Sequence, residues 1–553
     1  MLHAVPQDRN EREAPPTDQT GSRFAPALRV VSGLTLLSRV AGLARDAVCS
    51  RIFGAGPVWS AFAFAFLLPN LFRRLFGEGA LSAAFLPEYA QLQKNDPALA
   101  RRFASATMGV LLVVLGALTL LGELLLLFLL VGTPLGQHGA LALKLAMVML
   151  PFMPLVCASA ILGGMLQTHG RFGPTAASPV LLNLFIIAAA AVWAWGLGAD
   201  LVTTVFAVAI SVVLAGAAQV AWSLLALRRN QQWTTSLAGA SAPVRRMAVR
   251  MGPVIIGLGA LQINTLLDGL IASWPILVGP TISLPGLGRV DYPLDESSNA
   301  VLFFTQRLYQ FPLGVFGIAL ATAIFPALAR ESDEPERFSD TLRRGVRLSL
   351  FIGLPASMGL AFVRHDLAAV ILGGGAFVAE DIDRVAFVLL GYSPAIWAYM
   401  LSHLFSRAFY ALGDTATPMR ISLLTVGVNL ALNLVLIWPL AEAGLAWATS
   451  ICAVGQCLAL GWLLARRSGR AVIDPVGRGA VGRAIGLTLA MAIALGALLL
   501  LLPGAAERPE WTARALTLAA MVAVGAVVYL AGARALGMSE PGWLLERRRP
   551  DSR

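Results

Sequence analysis

The sequence predicts an all-α polytopic membrane protein of about fourteen transmembrane helices: two parallel six-helix lobes around a central cavity, plus two C-terminal helices. Of its 553 residues, 57% are hydrophobic and 13% charged, about half the roughly 25% charged share of a soluble chain. Apolar runs of about 20 residues recur along the whole length, each able to cross a ~30 Å hydrocarbon layer as a helix. The ~10-residue alternation of a membrane barrel is absent. An internal repeat divides the chain in two.

The elements follow in order. Residues 1–26 are polar, carry Pro15 and Pro16, and read as a disordered cytoplasmic tail without a cleavable signal peptide. The first lobe, 27–230, holds spans at 29–53, 58–90, 103–131, 140–167, 175–197 and 201–227. The second, 243–467, holds spans at 247–275, 299–328, 342–363, 384–411, 418–439 and 443–465. A helix pair, 482–502 and 513–536, fills 478–540, and 541–553 is a basic cytoplasmic tail. Pro69 and Pro87 kink the long second span or end its membrane portion. Cys49, Cys157, Cys452 and Cys457 lie in or beside apolar segments without metal-ligand or disulfide spacing, as packing residues do.

Loop charge sets the orientation. Lys94, Arg101 and Arg102; Arg171; Arg228, Arg229, Arg245 and Arg246; Arg330, Arg337, Arg343 and Arg344; and Arg466, Arg467 and Arg470 fall in alternate loops. The intervening loops are poor in Lys and Arg, so both termini are expected in the cytoplasm. This topology accounts for the net charge of +11 without nucleic acid.

Leu81, Ala84, Pro87 and Ala90 recur as Leu320, Ala323, Pro326 and Ala329, at a constant offset of 239. Arg74-Leu75-Phe76 is echoed by Arg307-Leu308-Tyr309, and the segment 166–183 by 409–424. Two halves with an even number of spans share one orientation. Such parallel repeats place a substrate cavity between them.

Charges inside apolar spans demand an explanation, because each arginine at mid-membrane costs ~2.5–3.5 kcal/mol on insertion scales. The first span carries Ser38, Arg39, Arg45 and Asp46, the second Asn70, Arg73, Arg74 and Glu78, the seventh Asn264 and Asp268, and the eighth Arg307. In an unbroken helix Asn70, Arg74 and Glu78 share one stripe, with Arg73 beside it. Snorkelling at a membrane edge is the alternative for arginines such as Arg51 and Arg364, and Arg45 with Asp46 also reads as an ion pair. Guanidinium groups outnumber carboxylates in this set, and their forks match phosphate oxygens. The expectation is an exporter or flippase for a phosphate-bearing amphiphile. Arg39, Arg45, Arg73, Arg74, Arg307, Ser38 and Asn70 would bind its headgroup, with Asp46 and Glu78 as acidic or gating groups. Asp268, Asn429, Asn433 and Thr449 supply oxygens on three spans, as a Na⁺ site or as interhelical hydrogen bonds.

The segments 38–56, 68–87, 306–326 and 406–418 closely resemble those of the lipid II flippase family, and with the span count the resemblance covers roughly 27–540. The resemblance implies the multidrug/oligosaccharidyl-lipid/polysaccharide exporter fold, a cationic cavity between two lobes, and a lipid-tail groove shaped by the last two helices. The implied substrate is lipid II, an undecaprenyl-diphosphate-linked disaccharide-pentapeptide carried to the periplasmic leaflet for peptidoglycan synthesis. It also implies function for the arginines matching Arg39, Arg45, Arg74 or Arg73, and Arg307. Ser60, Gln306 and Gln310 stand where family members often have acids. That departure puts any ion-coupling or gating role of those carboxylates in doubt.

The resemblance leads us to expect a monomer of the cell inner membrane in contact with membrane lipids. No catalytic role and no cofactor are expected, with Na⁺ or membrane potential as the expected drive. The alternatives are an exporter of another polyprenyl-diphosphate-linked glycan, a drug antiporter (which would want surplus carboxylates), a scaffold, or a membrane enzyme. The five scattered histidines give no metal or acid–base cluster for an enzyme.

Overall fold

Proline and aspartate mark where the helices begin. The computed structural model describes residues 19–75, 81–284, 286, 288–502 and 510–545; Glu78 and the basic tail at 547–549 lie outside them. Helix α1 is Gln19–Phe53, α2 Pro57–Phe72, α3 Leu81–Asn95, α4 Pro97–Gly132, α5 Gln137–Met149, α6 Phe152–Thr168, α7 Gly173–Ala191 and α8 Leu201–Leu227. Then come α9 Ser241–Ala272, α10 Trp274–Leu277, a hairpin of β1 Thr281–Leu284 and β2 Gly288–Asp291, α11 Ser298–Pro312, α12 Ile318–Arg330 and α13 Pro335–Leu372. The chain continues through α14 Ala379–Tyr392, α15 Ile396–Ala411, α16 Ala416–Leu440, α17 Glu442–Ser468, α18 Pro475–Leu501, α19 Trp511–Ala535 and α20 Glu540–Leu545.

Pro57, Pro97, Pro335 and Pro475 open their helices, where a missing amide costs nothing. Asp96 caps α4 by accepting the amides of Ala98 and Leu99, and Asp200 caps α8 from outside it. The Thr203 hydroxyl and amide bonds hold the Asp200 carboxyl below its usual range.

Among the described residues, ten helices or bent helix pairs are long and apolar enough to cross a membrane. The remaining expected spans fall on α1, α2–α3, α9 and α11–α12, which hold the intramembrane charges. The protein is a multi-pass helical membrane protein.

Helix packing repeats across the two halves. In the first, α1 packs on α7, α2 on α5, α3 on α6, α6 on α8, and α7 on α8. In the second, α9 packs on α16, α11 on α14, α12 on α15, α15 on α17, and α16 on α17. The breaks repeat as well. Pro151 divides α5 from α6, as the turn Ser393–Ala395 divides α14 from α15. The backbone widens into π-helical turns at 73–75 and again at Leu313–Gly317. Such widened turns concentrate at functional sites because they rotate side chains out of α-helical register. The C-terminal pair α18–α19 packs on α13 through Phe351, Val363, Met491 and Met521, and the Tyr529 hydroxyl donates to the Phe351 carbonyl at 2.8 Å.

At the arginine-poor face the lobes are joined. The Ser50 hydroxyl donates to Leu372 O at 2.7 Å, and the Ala376 amide to Arg51 O at 2.8 Å. Gly54 and Gly375 both have positive φ, and a Cβ on either would strike the backbone of the opposite lobe. The Ser60 hydroxyl accepts the Ala300 amide at 2.9 Å, and His138 meets Glu296 at 2.6 Å. Beneath these contacts lies an aromatic layer: Trp59, fully buried, stacks on Phe53, Phe62 and Phe304. At the arginine-rich face, Glu88 of α3 holds Arg246 and Arg250 of α9 at 2.6 and 3.2 Å.

Three details differ from the sequence reading. The expected disordered tail gives way to helix at Gln19, because the α1 backbone continues beyond its apolar portion, where hydropathy carries no signal. Pro69 and Pro87 lie inside α2 and α3 rather than ending them, and the span read as 58–90 widens at the π turn 73–75. The stretch 280–298, given no element in the sequence analysis, contains the antiparallel hairpin pairing Thr281 with Asp291. Trp59→Ala should cost about 3–5 kcal/mol through the cavity it leaves, read as a lower melting temperature of the purified protein.

Candidate functional site

The α1 residues Ser38, Arg39, Gly42, Arg45 and Asp46 recur at three-, four- and seven-residue spacings, so one face of that helix turns inward. This face meets Asn70 and Arg73 of α2 and the π turn, Ser159 of α6, Asn183 of α7, Gln219 of α8, and Arg307 and Gln310 of α11 around a cavity of about 490 Å³. Among the described residues, four guanidinium groups (Arg39, Arg45, Arg73, Arg307) line it against one carboxylate, that of Asp46.

Asp46 organises the cluster. Only 1% exposed, it accepts from Arg45 Nε at 2.9 Å and Nη2 at 2.6 Å, while Arg307 Nε stands 3.9 Å from its other oxygen. Arg45 Nη1 donates to Asn183 Oδ1 at 3.1 Å, fixing the fork across two helices. Phe303 lies under both cations, with its ring centroid 6.0 Å from Arg45 Cζ and 5.1 Å from Arg307 Cζ. Phe303 also makes a T-shaped contact with Trp59 at 5.8 Å, which joins the cationic cluster to the aromatic layer. The Arg307 Nε is buried without a hydrogen bond. A buried charged donor in that state is costly unless an anion arrives. The Arg39 guanidinium reaches the second lobe and lies against Gly314, where any Cβ would overlap it.

The sequence-derived set is partly brought together. Ser38, Arg39, Arg45, Asp46, Asn70, Arg73 and Arg307 line one cavity. Arg74 does not; it donates to Gln262 of α9 at 3.4 Å. The reason is local: the expected Asn70–Arg74–Glu78 stripe assumes α-helical register, and the π turn at 73–75 shifts it, so Arg73 faces the cavity instead. Arg73 is steered by Asn70 Oδ1, which accepts its Nε at 3.2 Å and Nη2 at 3.0 Å. Glu78 falls outside the described residues.

The oxygen cluster also assembles. Asp268, 3% exposed, accepts from Asn433 Nδ2 at 2.6 Å and from Asn264 at 3.4 Å. Asn433 also donates to Asn429 Oδ1 at 3.0 Å, and Asn429 to the Thr449 hydroxyl at 3.4 Å. The Oδ1 atoms of Asn264 and Asn433 are buried and accept no hydrogen bond.

Sequence reasoning missed Asn183 and Phe303, and read Gly314 as a bend without its contact to Arg39. Asn183 was a lone polar residue in an apolar run and was detectable as such. Phe303 and the Gly314 contact carry no signal without the partners that face them.

The family model described as Lipid II flippase MurJ matches residues 49–531. The chain is 33% identical over 529 residues to a probable lipid II flippase MurJ of Vibrio cholerae, covering 92% of this chain and 95% of that one. It is also 33% identical over 442 residues to one from Rhizobium tropici, covering 78% of each. Among solved structures, an inward-closed lipid II flippase MurJ superposes with a TM-score of 0.74 at 20% identity, covering 93% of this chain and 99% of that one. An inward-facing multidrug resistance MATE family transporter gives 0.62 at 14% identity, covering 80% and 98%. At those identities the structures speak for the fold.

Gly314→Ala should push the Arg39 guanidinium aside, since the obstructing atoms end a flexible side chain. Transport should fall while stability changes by less than about 0.5 kcal/mol, measured as translocation rate and melting temperature on one preparation.

Proposed function

The chain belongs to the lipid II flippase MurJ family, and on that premise we propose that it carries undecaprenyl-diphosphate-linked disaccharide-pentapeptide from the cytoplasmic to the periplasmic leaflet. The observation that carries the reading is the cavity's surplus of guanidinium over carboxylate at membrane depth. A diphosphate supplies the missing negative charge, and Arg39, Arg45, Arg73 and Arg307 would engage its oxygens. Asp46 keeps Arg45 and Arg307 poised without neutralising the cluster. The polyprenyl tail would remain in lipid along the apolar surface shaped by α13, α18 and α19.

Transport then proceeds by alternating access. With the arginine-rich face cytoplasmic, as the positive-inside rule requires, the joined arginine-poor face is the periplasmic gate. Breaking the Ser50–Leu372 and Ser60–Ala300 contacts would open it, with bending at Gly54–Pro57 and Pro312–Gly314. Ser60 makes this contact through a hydroxyl, so that lock does not titrate. The protein acts as a transporter monomer that relocates its lipid without altering bonds. Membrane potential supplies ~2.3 kcal/mol per charge per 100 mV.

Asp268, Asn429, Asn433 and Thr449 fit Na⁺, a hard cation that favours oxygen ligands. The unpartnered Asn264 and Asn433 oxygens beside a buried carboxylate support that fit. Bound there, the ion would supply charge compensation between α9, α16 and α17.

In proteoliposomes, Arg39→Ala and Arg307→Ala should each slow lipid II translocation by roughly 10- to 100-fold, the worth of a charged hydrogen bond. Wild-type rates in both variants would refute the assignment. Na⁺ should raise the melting temperature of the wild type and leave Asp268→Asn unmoved; an equal response of both would remove the cation site.

A further inference from the structure

We propose that the cavity wall formed by α6, α7 and α8 is a second, uncharged subsite that binds the sugar portion of the headgroup; this rests on the flippase reading above. The basic residues come from α1, the α2 end and α11. The opposite wall contributes Ser159, Thr175, Ser178 and Gln219 to the same cavity, with no ionisable side chain among its lining residues.

The polar groups of this wall have unfilled hydrogen-bonding capacity. The Thr175 hydroxyl is buried and makes no hydrogen bond. It sits against Gly163 of α6, where a Cβ would come within 2.8 Å of it. Pro179 has no amide to give the Thr175 carbonyl, so the proline also withdraws that oxygen's usual helical donor. Ser159, 8% exposed, takes part in no hydrogen bond among the described residues. Gln219, 4% exposed, spends its amide on Ser178 O at 2.9 Å. That bond fixes the carboxamide and leaves its oxygen as an open acceptor.

Buried polar atoms without partners are uncommon in folded proteins; the Thr175 hydroxyl is one, and with Ser159 and the Gln219 carboxamide on the same cavity wall it marks a ligand that satisfies them. Its chemistry follows from the donors and acceptors available. Two hydroxyls can donate and accept, one amide oxygen accepts, and there is no charge to meet a carboxylate or an amine. Neutral hydroxyls and N-acetyl groups of an amino sugar fit that set, and a charged peptide does not. Val156 and Leu182 add apolar surface on which a sugar's C–H faces pack.

Position agrees. Asn183, which fixes Arg45, and Thr175 lie on the same helix eight residues apart, about 12 Å along its axis. A diphosphate held at Arg45 and Arg307 therefore has its attached sugars within reach of the Thr175 end of the cavity.

The test is equilibrium binding to the purified full chain of two lipids: undecaprenyl diphosphate, and the same lipid bearing the disaccharide without peptide. The wild type should hold the disaccharide lipid at least ~10-fold tighter, the worth of two or three neutral hydrogen bonds. Ser159→Ala combined with Thr175→Val should bring the ratio near unity while affinity for the bare diphosphate, the control for folding, stays unchanged. Gln219→Leu should do the same in a separate variant. Equal wild-type affinity for the two lipids overturns the subsite alone, as does a preference kept by both variants. A wild type that binds neither lipid overturns the flippase reading and the subsite together.

Discussion

The fold is organised around guanidinium groups that must stay charged in a low-dielectric interior. Desolvating such a group costs several kcal/mol unless partners restore what water supplied. Here one carboxylate, Asp46, serves Arg45 and stands beside Arg307, a single amide from Asn183 fixes the fork, and Phe303 offers its ring face to both. These partners hold the cations in place and leave their sum strongly positive. That residual charge is what an anionic headgroup encounters.

The duplicated architecture explains how such a site can change sides. Each half repeats the same helix pairings and the same two kinds of break, a proline-containing turn and a widened π turn. The breaks fall next to the cavity, at Arg73 in one half and at Gly314 in the other. The elements that carry the substrate groups are thus also the ones that can bend. The gate opposite is built from backbone contacts through Gly54 and Gly375 and from the Trp59 layer. Close backbone approach of this kind makes a two-position switch rather than a gradual one, since a glycine contact is either seated or lost.

Much of this was legible in the sequence, for physical reasons. Arg39, Arg45, Asp46 and Arg307 announce themselves because charge inside an apolar run is costly and demands a partner. The oxygen cluster of Asp268, Asn429, Asn433 and Thr449 was visible because polar side chains in apolar spans seek partners, which here are one another. Where inference from spacing failed, the cause was backbone geometry: of the two arginines expected at the headgroup, Arg73 lines the cavity beside the π turn at 73–75 while Arg74 turns to Gln262, and no periodicity argument anticipates a local change of period. Phe303, Gly314 and the hairpin at 281–291 were hidden because an apolar ring, a glycine and a short polar loop acquire meaning only from what they meet. Asn183 could have been found by treating every solitary amide in an apolar span as a claim for a partner.

The central claim is that surplus positive charge in the cavity selects a diphosphate-bearing lipid. It is tested most directly by comparing the affinities of the purified chain for undecaprenyl diphosphate, undecaprenyl monophosphate and the neutral alcohol at one ionic strength. The account predicts that affinity falls stepwise along that order and that the steps shrink in an Arg45→Gln, Arg307→Gln double variant. Equal binding of the neutral alcohol and the diphosphate by the wild type would contradict it.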